Sequence, residues 1–154
     1  VPSFAARLDR QSALTVRMAE AGMRVTAGEV LIAPGDRHMA LRRDGFGYLC
    51  EIVDGPPVSG HRPSVDVLFN SVAEVAGANA VGVILSGMGR DGASGMAAMH
   101  AAGAWTIGEN EQSCVVYGMP RMAKLAGGVA VEMPLGQIPA EMLRAAAAPA
   151  ARST

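Results

Sequence analysis

The chain contains 154 residues, a length that suits one globular domain with a sizeable core. Half of the residues are hydrophobic but only 4% are aromatic, so aliphatic side chains and ten methionines must fill that core. The 13 basic and 14 acidic residues leave a net charge of −1. This balance argues against nonspecific binding to nucleic acid or to anionic membranes, because both need a basic excess.

Membrane insertion and metal binding are not expected either. No apolar run approaches the ~18 residues of a membrane span, and the run over residues 80–85 suits a buried strand. No secretory signal is visible, so the sequence predicts a cytoplasmic protein. Cys50 and Cys114 have neither the spacing of metal ligands nor that of a disulfide framework, and no cofactor or metal is predicted from them.

The first part of the chain predicts a helix, two strands and a hairpin. Three apolar side chains have helical spacing, two short apolar runs are typical of strands, and Asp44-Gly45 supplies the positive φ angles of a tight hairpin turn. The helix is marked by Phe4, Ala5 and Leu8, the strands by residues 14–19 and 29–33, and the hairpin arms by residues 39–43 and 46–53.

From residue 64 onward, strands and helices alternate with short connections, which indicates an α/β fold with a parallel sheet. Ser64 is expected to cap the first of these helices, and Pro120 to begin the first turn of the third. The predicted helices cover residues 65–76, 92–102, 120–126 and 138–148, and the predicted strands cover residues 80–85, 104–107 and 129–133. One domain over residues 1–148 is followed by an Ala-rich tail, residues 149–154.

The glycine-rich loop after residue 85 is the most informative stretch for function, because sites in open α/β sheets form at the carboxyl ends of strands. Gly87, Gly89 and Gly92 spell G-x-G-x-x-G between a predicted strand and a predicted helix. Glu109 follows about 20 residues later, where the ribose-binding acid of a dinucleotide site would lie. On pattern alone, the loop therefore predicts a dinucleotide site.

Asp91 argues against a dinucleotide, because a carboxylate beside the pyrophosphate would repel it. The dipole at a helix N-terminus instead favours an ionised side chain, and such an aspartate at the end of a strand suits the orientation of a catalytic histidine. Three interpretations stay open at this point: Asp91 caps the following helix, Asp91 is catalytic, or the loop binds a nucleotide.

The remaining candidates are weaker. His38 and His61 precede regular elements, and His100 lies inside a predicted helix, where a structural role is expected. No serine lies in a Gly-x-Ser-x-Gly elbow, so no nucleophile is indicated. Arg62 and Asp66 are expected to pair and cap around a helix start.

Five motifs, in order, resemble the chemotaxis protein-glutamate methylesterase (CheB) family from about residue 3 to residue 143. They are Ile32-Ala-Pro-Gly-Asp-Arg-His38, Asp54-Gly-Pro56, His61-Arg-Pro-Ser-Val-Asp66, Gly82-Val-Ile-Leu-Ser-Gly-Met-Gly-Arg-Asp-Gly92 and Ser113-Cys-Val-Val-Tyr-Gly-Met-Pro120. The resemblance implies a three-layer α/β/α sandwich with a mainly parallel sheet and an antiparallel hairpin.

The resemblance also implies an activity: hydrolysis of glutamyl methyl esters on the cytoplasmic part of methyl-accepting chemoreceptors, in many members with deamidation of receptor glutamines. The family uses a Ser-His-Asp triad, and Asp91 matches its aspartate. The backbone N–H of Met88 matches an oxyanion donor. The G-x-G-x-x-G match would then be a false positive, and no cofactor is implied.

Two family motifs do not occur in this sequence: Gly-Ala-Ser-x-Gly-Gly, which carries the serine, and Gln-His-Met-Pro, which carries the histidine. The receiver domain that usually precedes the catalytic domain is not found either. Ser86 and Glu109 stand where Thr and Gln are common. Two interpretations therefore remain: a partial catalytic domain of an enzyme whose triad is completed elsewhere, or a catalytically inactive module that binds receptors or a receiver domain.

Overall fold

The computed structural model describes residues 2–147, in which helices and strands follow the predicted order. The helices are α1 (Pro2–Gln11), α2 (Val65–Val75), α3 (Ala93–Ala101), α4 (Met119–Leu125) and α5 (Ile138–Ala147). The strands are β1 (Thr15–Met18), β2 (Glu29–Ile32), β3 (His38–Asp44), β4 (Gly47–Val53), β5 (Val81–Ile84), β6 (Trp105–Glu109) and β7 (Val131–Met133). The predicted tail, residues 149–154, lies outside the described residues. No helix within residues 2–147 is long and apolar enough to cross a bilayer.

The strands form two parallel groups and one antiparallel hairpin. β1 pairs with β2 in parallel, β6 lies between β5 and β7 in a second parallel sheet, and β3 pairs with β4 in the antiparallel sense. This arrangement confirms an α/β fold with parallel strands and an antiparallel hairpin. Within residues 2–147 the two parallel groups are separate hydrogen-bonded sheets.

β6 is covered on both faces. Thr106 and Ile107 are both fully buried, and consecutive side chains of a strand point to opposite faces. The Thr106 hydroxyl lies 3.4 Å from Nδ1 of His100 on α3, whereas the neighbouring Trp105 donates its indole N–H to Glu141 on α5 at 2.7 Å. The helices α3 and α5 therefore lie on opposite faces of this sheet, as a three-layer arrangement requires.

The core has two parts, and α2 contributes to both. Ile84, Met96 and their buried neighbours form one cluster, against which Phe69 packs. Met39 and Cys50 belong to the other, against which Leu68 packs. Because Leu68 and Phe69 are adjacent on α2, this helix joins the β1–β4 part of the molecule to the β5–β7 part.

The hairpin turn lies one residue later than predicted. Asp44 pairs with Gly47, so the two loop residues are Gly45, with a φ of 62°, and Phe46. Phe46 continues the apolar pattern of the second arm, which is why the sequence places it in the strand, but at the tip of the turn it is fully exposed.

Candidate functional site

The candidate site lies at the carboxyl ends of β5 and β6, which are neighbouring parallel strands. The loop after β5 carries Met88 and Asp91, and the loop after β6 returns beside it. A backbone bridge joins Gly87 to Tyr117, and the Ser86 hydroxyl accepts the Val116 N–H at 2.9 Å. The two loops therefore form one connected surface at the edge where α/β sheets bind ligands.

Asp91 is buried, with only 4% of its surface exposed, and its carboxylate is held by the first turn of α2. Oδ1 accepts hydrogen bonds from the Ser64 hydroxyl (2.8 Å) and the Asp66 N–H (3.1 Å), and Oδ2 accepts one from the Val65 N–H (2.8 Å). Asp91 thus caps α2, not the helix that follows it. The predicted capping by Ser64 is wrong in its detail: its side chain makes no cap bond of its own and donates to Asp91 instead.

Asp66 in turn caps α3. Its Oδ1 accepts the N–H of Gly92 (3.1 Å) and of Gly95 (2.7 Å), and its Oδ2 accepts the Ser59 hydroxyl (3.1 Å). A Cβ at Gly95 would lie 2.5 Å from Cβ of Phe69, so glycine is what lets the two helices approach this closely. Each helix therefore receives its cap from an aspartate beside the start of the other.

This exchange also bears on the G-x-G-x-x-G pattern. A pyrophosphate at the N-terminus of α3 would need the amides of that first turn. The N–H groups of Gly92 and Gly95 already donate to the Asp66 carboxylate, so the position that a phosphate would need is occupied by a buried negative charge. The geometry agrees with the charge argument from sequence against a dinucleotide.

Glu109, the other half of that pattern, is a second buried carboxylate, 2% exposed. Its Oε1 accepts the Ser86 N–H at 2.8 Å and its Oε2 accepts the Ser113 hydroxyl at 2.7 Å. The Ser113 hydroxyl in turn accepts the Leu135 N–H at 2.9 Å. Glu109 therefore connects the loops that carry Ser86 and Ser113, and through Ser113 also the segment at Leu135. The sequence did not reveal this role, because Ser86 lies 23 residues away along the chain.

The three histidines lie elsewhere. His38 is buried, and its Nε2–H donates to the Pro56 carbonyl (2.8 Å) while Nδ1 accepts the Ser64 N–H (3.1 Å), so both ring nitrogens are used in packing. The backbone of His61 pairs with Val58, and the ring of His100 contacts Thr106. Within residues 2–147, no histidine ring shares a hydrogen bond with Asp91 or with a serine hydroxyl.

Arg62 does not pair with Asp66 as expected. Its guanidinium binds Asp36 at 2.7 Å and the Gly55 carbonyl at 3.1 Å, and it thereby fixes the loop before α2 from outside. Asp66 caps a helix, as expected, but the helix is α3 and not its own. The partner was invisible in the sequence because Gly92 and Gly95 lie 26 and 29 residues away.

Met88 lies on the rim of the site with 78% of its surface exposed. Its N–H has no acceptor among residues 2–147. The preceding carbonyl, that of Gly87, accepts two N–H groups from the start of α4: Gly118 at 3.1 Å and Met119 at 2.8 Å. An unpaired N–H beside a fixed carbonyl is available to a ligand atom.

Tyr117 anchors the returning loop. Its hydroxyl donates to Glu132 on β7, and this hydrogen bond, with burial, raises the pKa of Tyr117 to about 12. Burial by itself would raise the pKa of Glu132, but hydrogen bonds from Lys124 (2.8 Å) and Tyr117 outweigh it and leave that pKa below its usual value. The loop is thus tied to β7 by a charged network.

The two cysteine thiols are not activated. Burial raises the pKa of Cys50, with a contribution from Glu51, and burial together with Glu109 raises that of Cys114. Both thiols stay protonated near neutral pH and are poor nucleophiles in that form. The described residues therefore supply a buried acid and an open amide, without a partnered nucleophile.

Comparison with known proteins confirms the resemblance over almost the whole chain. Residues 1–142 match the protein-family model described as CheB methylesterase. A relative from Salmonella typhimurium, named protein-glutamate methylesterase/protein-glutamine glutaminase, is 60% identical over 141 residues, and one of the same name from Escherichia coli K12 is 59% identical. These matches cover 92% of this chain but only 40% of either relative.

The fold also matches that of a solved member of this family. The crystal structure of the Thermotoga maritima CheB methylesterase catalytic domain superimposes with a TM-score of 0.89 at 35% identity, over 93% of this chain and 76% of that chain. The relatives are hydrolases by name, and the family model covers far more than half of the residues. The sequence, the fold and the site at the ends of β5 and β6 therefore assign the chain to the CheB methylesterase family.

Proposed function

We propose that this chain is part of the catalytic domain of a protein-glutamate methylesterase, which hydrolyses glutamyl methyl esters on the cytoplasmic domain of chemoreceptors and releases methanol. A parallel deamidation of glutamines is proposed from the second half of the relatives' name. The serine and histidine of the triad are supplied by a segment outside these residues, since neither family motif occurs in the sequence. The protein acts in the cytoplasm, and a receiver domain of the full-length protein is its other partner.

The carboxylate of Asp91 is the observation that carries this proposal. A carboxylate can accept about four hydrogen bonds, and Asp91 accepts three. The remaining position, on Oδ2, suits one ring N–H of a histidine. Bound in this way, the imidazole keeps its other nitrogen free to take the proton of the serine hydroxyl, and the nearby negative charge stabilises the imidazolium that forms.

The open N–H of Met88 supports the second half of the mechanism. Attack of the serine oxygen on the ester carbonyl creates a tetrahedral intermediate with a negatively charged oxygen. A fixed backbone N–H about 2.7–3.1 Å from that oxygen lowers the barrier. Collapse of the intermediate expels methanol after protonation by the imidazolium, and water then hydrolyses the acyl-enzyme by the same steps.

The test compares three proteins in methanol release from methylated receptor: the full-length enzyme, the same enzyme with Asp91→Asn, and the 154-residue chain alone. We expect activity only in the first. In serine proteases the corresponding Asp→Asn change lowers kcat about 10⁴-fold. Asp91→Asn also turns an amide towards one α2 donor, so we expect a loss of about 1–3 kcal/mol in stability. The exposed Asp54→Asn is the matched control.

Two results would contradict the proposal. A full-length protein that contains both family motifs but releases no more methanol than its serine-to-alanine variant would favour the inactive binding module. Turnover by the 154-residue chain close to that of the full-length enzyme would mean that a serine and a histidine within these residues do the work.

A further inference from the structure

Hydrogen bonds from the start of α4 fix the position of the Gly87–Met88 peptide. The Gly87 carbonyl accepts the N–H groups of Gly118 (3.1 Å) and Met119 (2.8 Å), and the Gly87 N–H donates to the Val116 carbonyl at 3.0 Å. Both hydrogen-bonding groups of Gly87 are therefore committed to the segment 116–119. This segment is itself anchored, because the Tyr117 hydroxyl donates a hydrogen bond to Glu132 on β7.

The orientation of the Met88 N–H follows from this anchoring. The Gly87–Met88 bond is trans, and in a planar trans peptide the C=O and the N–H point in opposite directions. With its carbonyl directed into the first turn of α4, the peptide must direct its N–H away from α4. There the N–H meets no acceptor among the described residues, and the Met88 side chain beside it is exposed.

Gly118 is the point of closest contact. A Cβ built on Gly118 would lie 2.6 Å from the Gly87 oxygen and 3.3 Å from both Cα of Met88 and N of Gly89. The backbone angles of Gly118, φ −101° and ψ −68°, are open to other residues. Glycine is therefore required here by contact with the loop and not by its own conformation.

Resting on the proposed function, we propose that Gly118 is a positioning residue for catalysis: it lets α4 pack directly beneath the Gly87–Met88 peptide and so aims the Met88 N–H at the oxyanion. A methyl group at this position must displace the Gly87 oxygen, and rotation of the peptide plane moves its N–H by a similar amount. Since an oxyanion donor acts at 2.7–3.1 Å, a displacement of this size weakens the bond to the intermediate. Binding of the ester in its ground state depends much less on this hydrogen bond.

The experiment measures methanol release by the full-length enzyme with Gly118→Ala, against Gly136→Ala as the matched control. Gly136 lies in the short turn before α5, and a Cβ there meets no atom within 4 Å. Loss of one oxyanion donor lowers kcat about 10²–10³-fold in serine hydrolases. Because the donor is displaced and not removed, we expect Gly118→Ala to lower kcat on the order of 10²-fold with KM changed less than about threefold. The control should match the wild type in both constants.

A second measurement distinguishes a misplaced oxyanion donor from a general loss of structure. A boronic acid analogue of the glutamyl side chain forms a tetrahedral adduct with the serine, and the adduct carries a negative oxygen. Its affinity should fall in Gly118→Ala in proportion to kcat, while KM stays near that of the control. Because the new methyl group meets backbone at 2.6 Å, the thermal unfolding temperature should fall as well, so the two variants are compared at a temperature at which circular dichroism shows both to be folded. Should Gly118→Ala fail to fold, Tyr117→Phe, which only unties the segment from Glu132, should show the same pattern at a several-fold scale.

The outcomes separate this inference from the proposed function. An inactive wild-type enzyme would overturn the proposed function. An active wild type in which Gly118→Ala equals Gly136→Ala, or in which boronate affinity stays unchanged while kcat falls, would overturn the positioning role alone. If Gly118→Ala does not fold, a Tyr117→Phe enzyme with unchanged kcat would overturn the positioning role instead.

Discussion

Replacement of Asp66 by alanine tests the exchange of caps between α2 and α3. The change removes the acceptor of two buried N–H groups, those of Gly92 and Gly95. An unsatisfied buried donor costs about 1–3 kcal/mol. The third partner, the Ser59 hydroxyl, is on an exposed residue and can bind water instead. Partial access of water to the vacated space lowers the total, so we expect a loss of about 2–4 kcal/mol.

Asp66→Asn is the informative companion variant. Its side-chain carbonyl can still accept both glycine N–H groups, and its amide can donate to Ser59. Only the charge near the N-terminus of α3 is lost, which is worth about 0.3–1 kcal/mol. Asp54→Ala serves as the control, because Asp54 is exposed and its ion pair with Arg37 contributes about 0–1 kcal/mol.

The assay is urea unfolding of the catalytic domain, followed by the fluorescence of Trp105, the single tryptophan of this chain. Hydrogen exchange at Gly92 and Gly95 gives a local measure: a loss of about 2–4 kcal/mol corresponds to roughly 30- to 1,000-fold faster exchange if these amides exchange by opening of α3. The reasoning fails if Asp66→Ala unfolds within about 0.5 kcal/mol of Asp54→Ala, or if Asp66→Asn is as damaging as Asp66→Ala.

Two further predictions concern other parts of the fold. Because folding raises the pKa of Tyr117 to about 12, the stabilisation that its hydroxyl provides is complete below about pH 10, the usual pKa of tyrosine, and is lost as the pH rises towards 12. Ultraviolet titration should detect this high pKa, and Glu132→Gln should return it towards the usual value. An unchanged titration midpoint in Glu132→Gln would exclude the hydrogen bond to Glu132 as the cause. The 154-residue chain alone should self-associate, because among residues 2–147 β1 pairs only with β2 and β5 only with β6, which leaves one side of each strand without a strand partner. Monodisperse monomers in light scattering at high concentration would contradict this.

Local patterns predicted the regular elements well. The order of helices and strands, the carboxyl-end location of the site and the burial of the β5 and β6 region follow from apolar periodicity and from glycine and proline signals. These signals act over a few residues, which is also the range over which a helix or a strand is specified. The hairpin turn shows the limit of this approach, since Phe46 fits the strand pattern but occupies the turn.

The partners of the buried carboxylates could not be predicted in the same way. Asp91 was expected to depend on the dipole of the helix that follows it, yet it binds the start of α2, more than 20 residues earlier in the chain. The same holds for Asp66 with α3 and for Glu109 with Ser86. Such pairs depend on how two elements pack, and a carboxylate at a helix start looks the same in sequence whichever helix it caps. The proposed role of Asp91 in catalysis was one of three open interpretations of the local sequence, and only the resemblance favoured it over the others.

The position of α2 in both parts of the core has a consequence for how the molecule comes apart. Leu68 packs with the β1–β4 cluster and Phe69 with the β5–β7 cluster, so the helix lies between two core units, one for each cluster. Truncation of Leu68 should loosen the first unit before the second, and truncation of Phe69 should do the reverse. In such a variant, the unfolding transitions reported by probes in the two units would no longer coincide, and a single midpoint would not describe its unfolding.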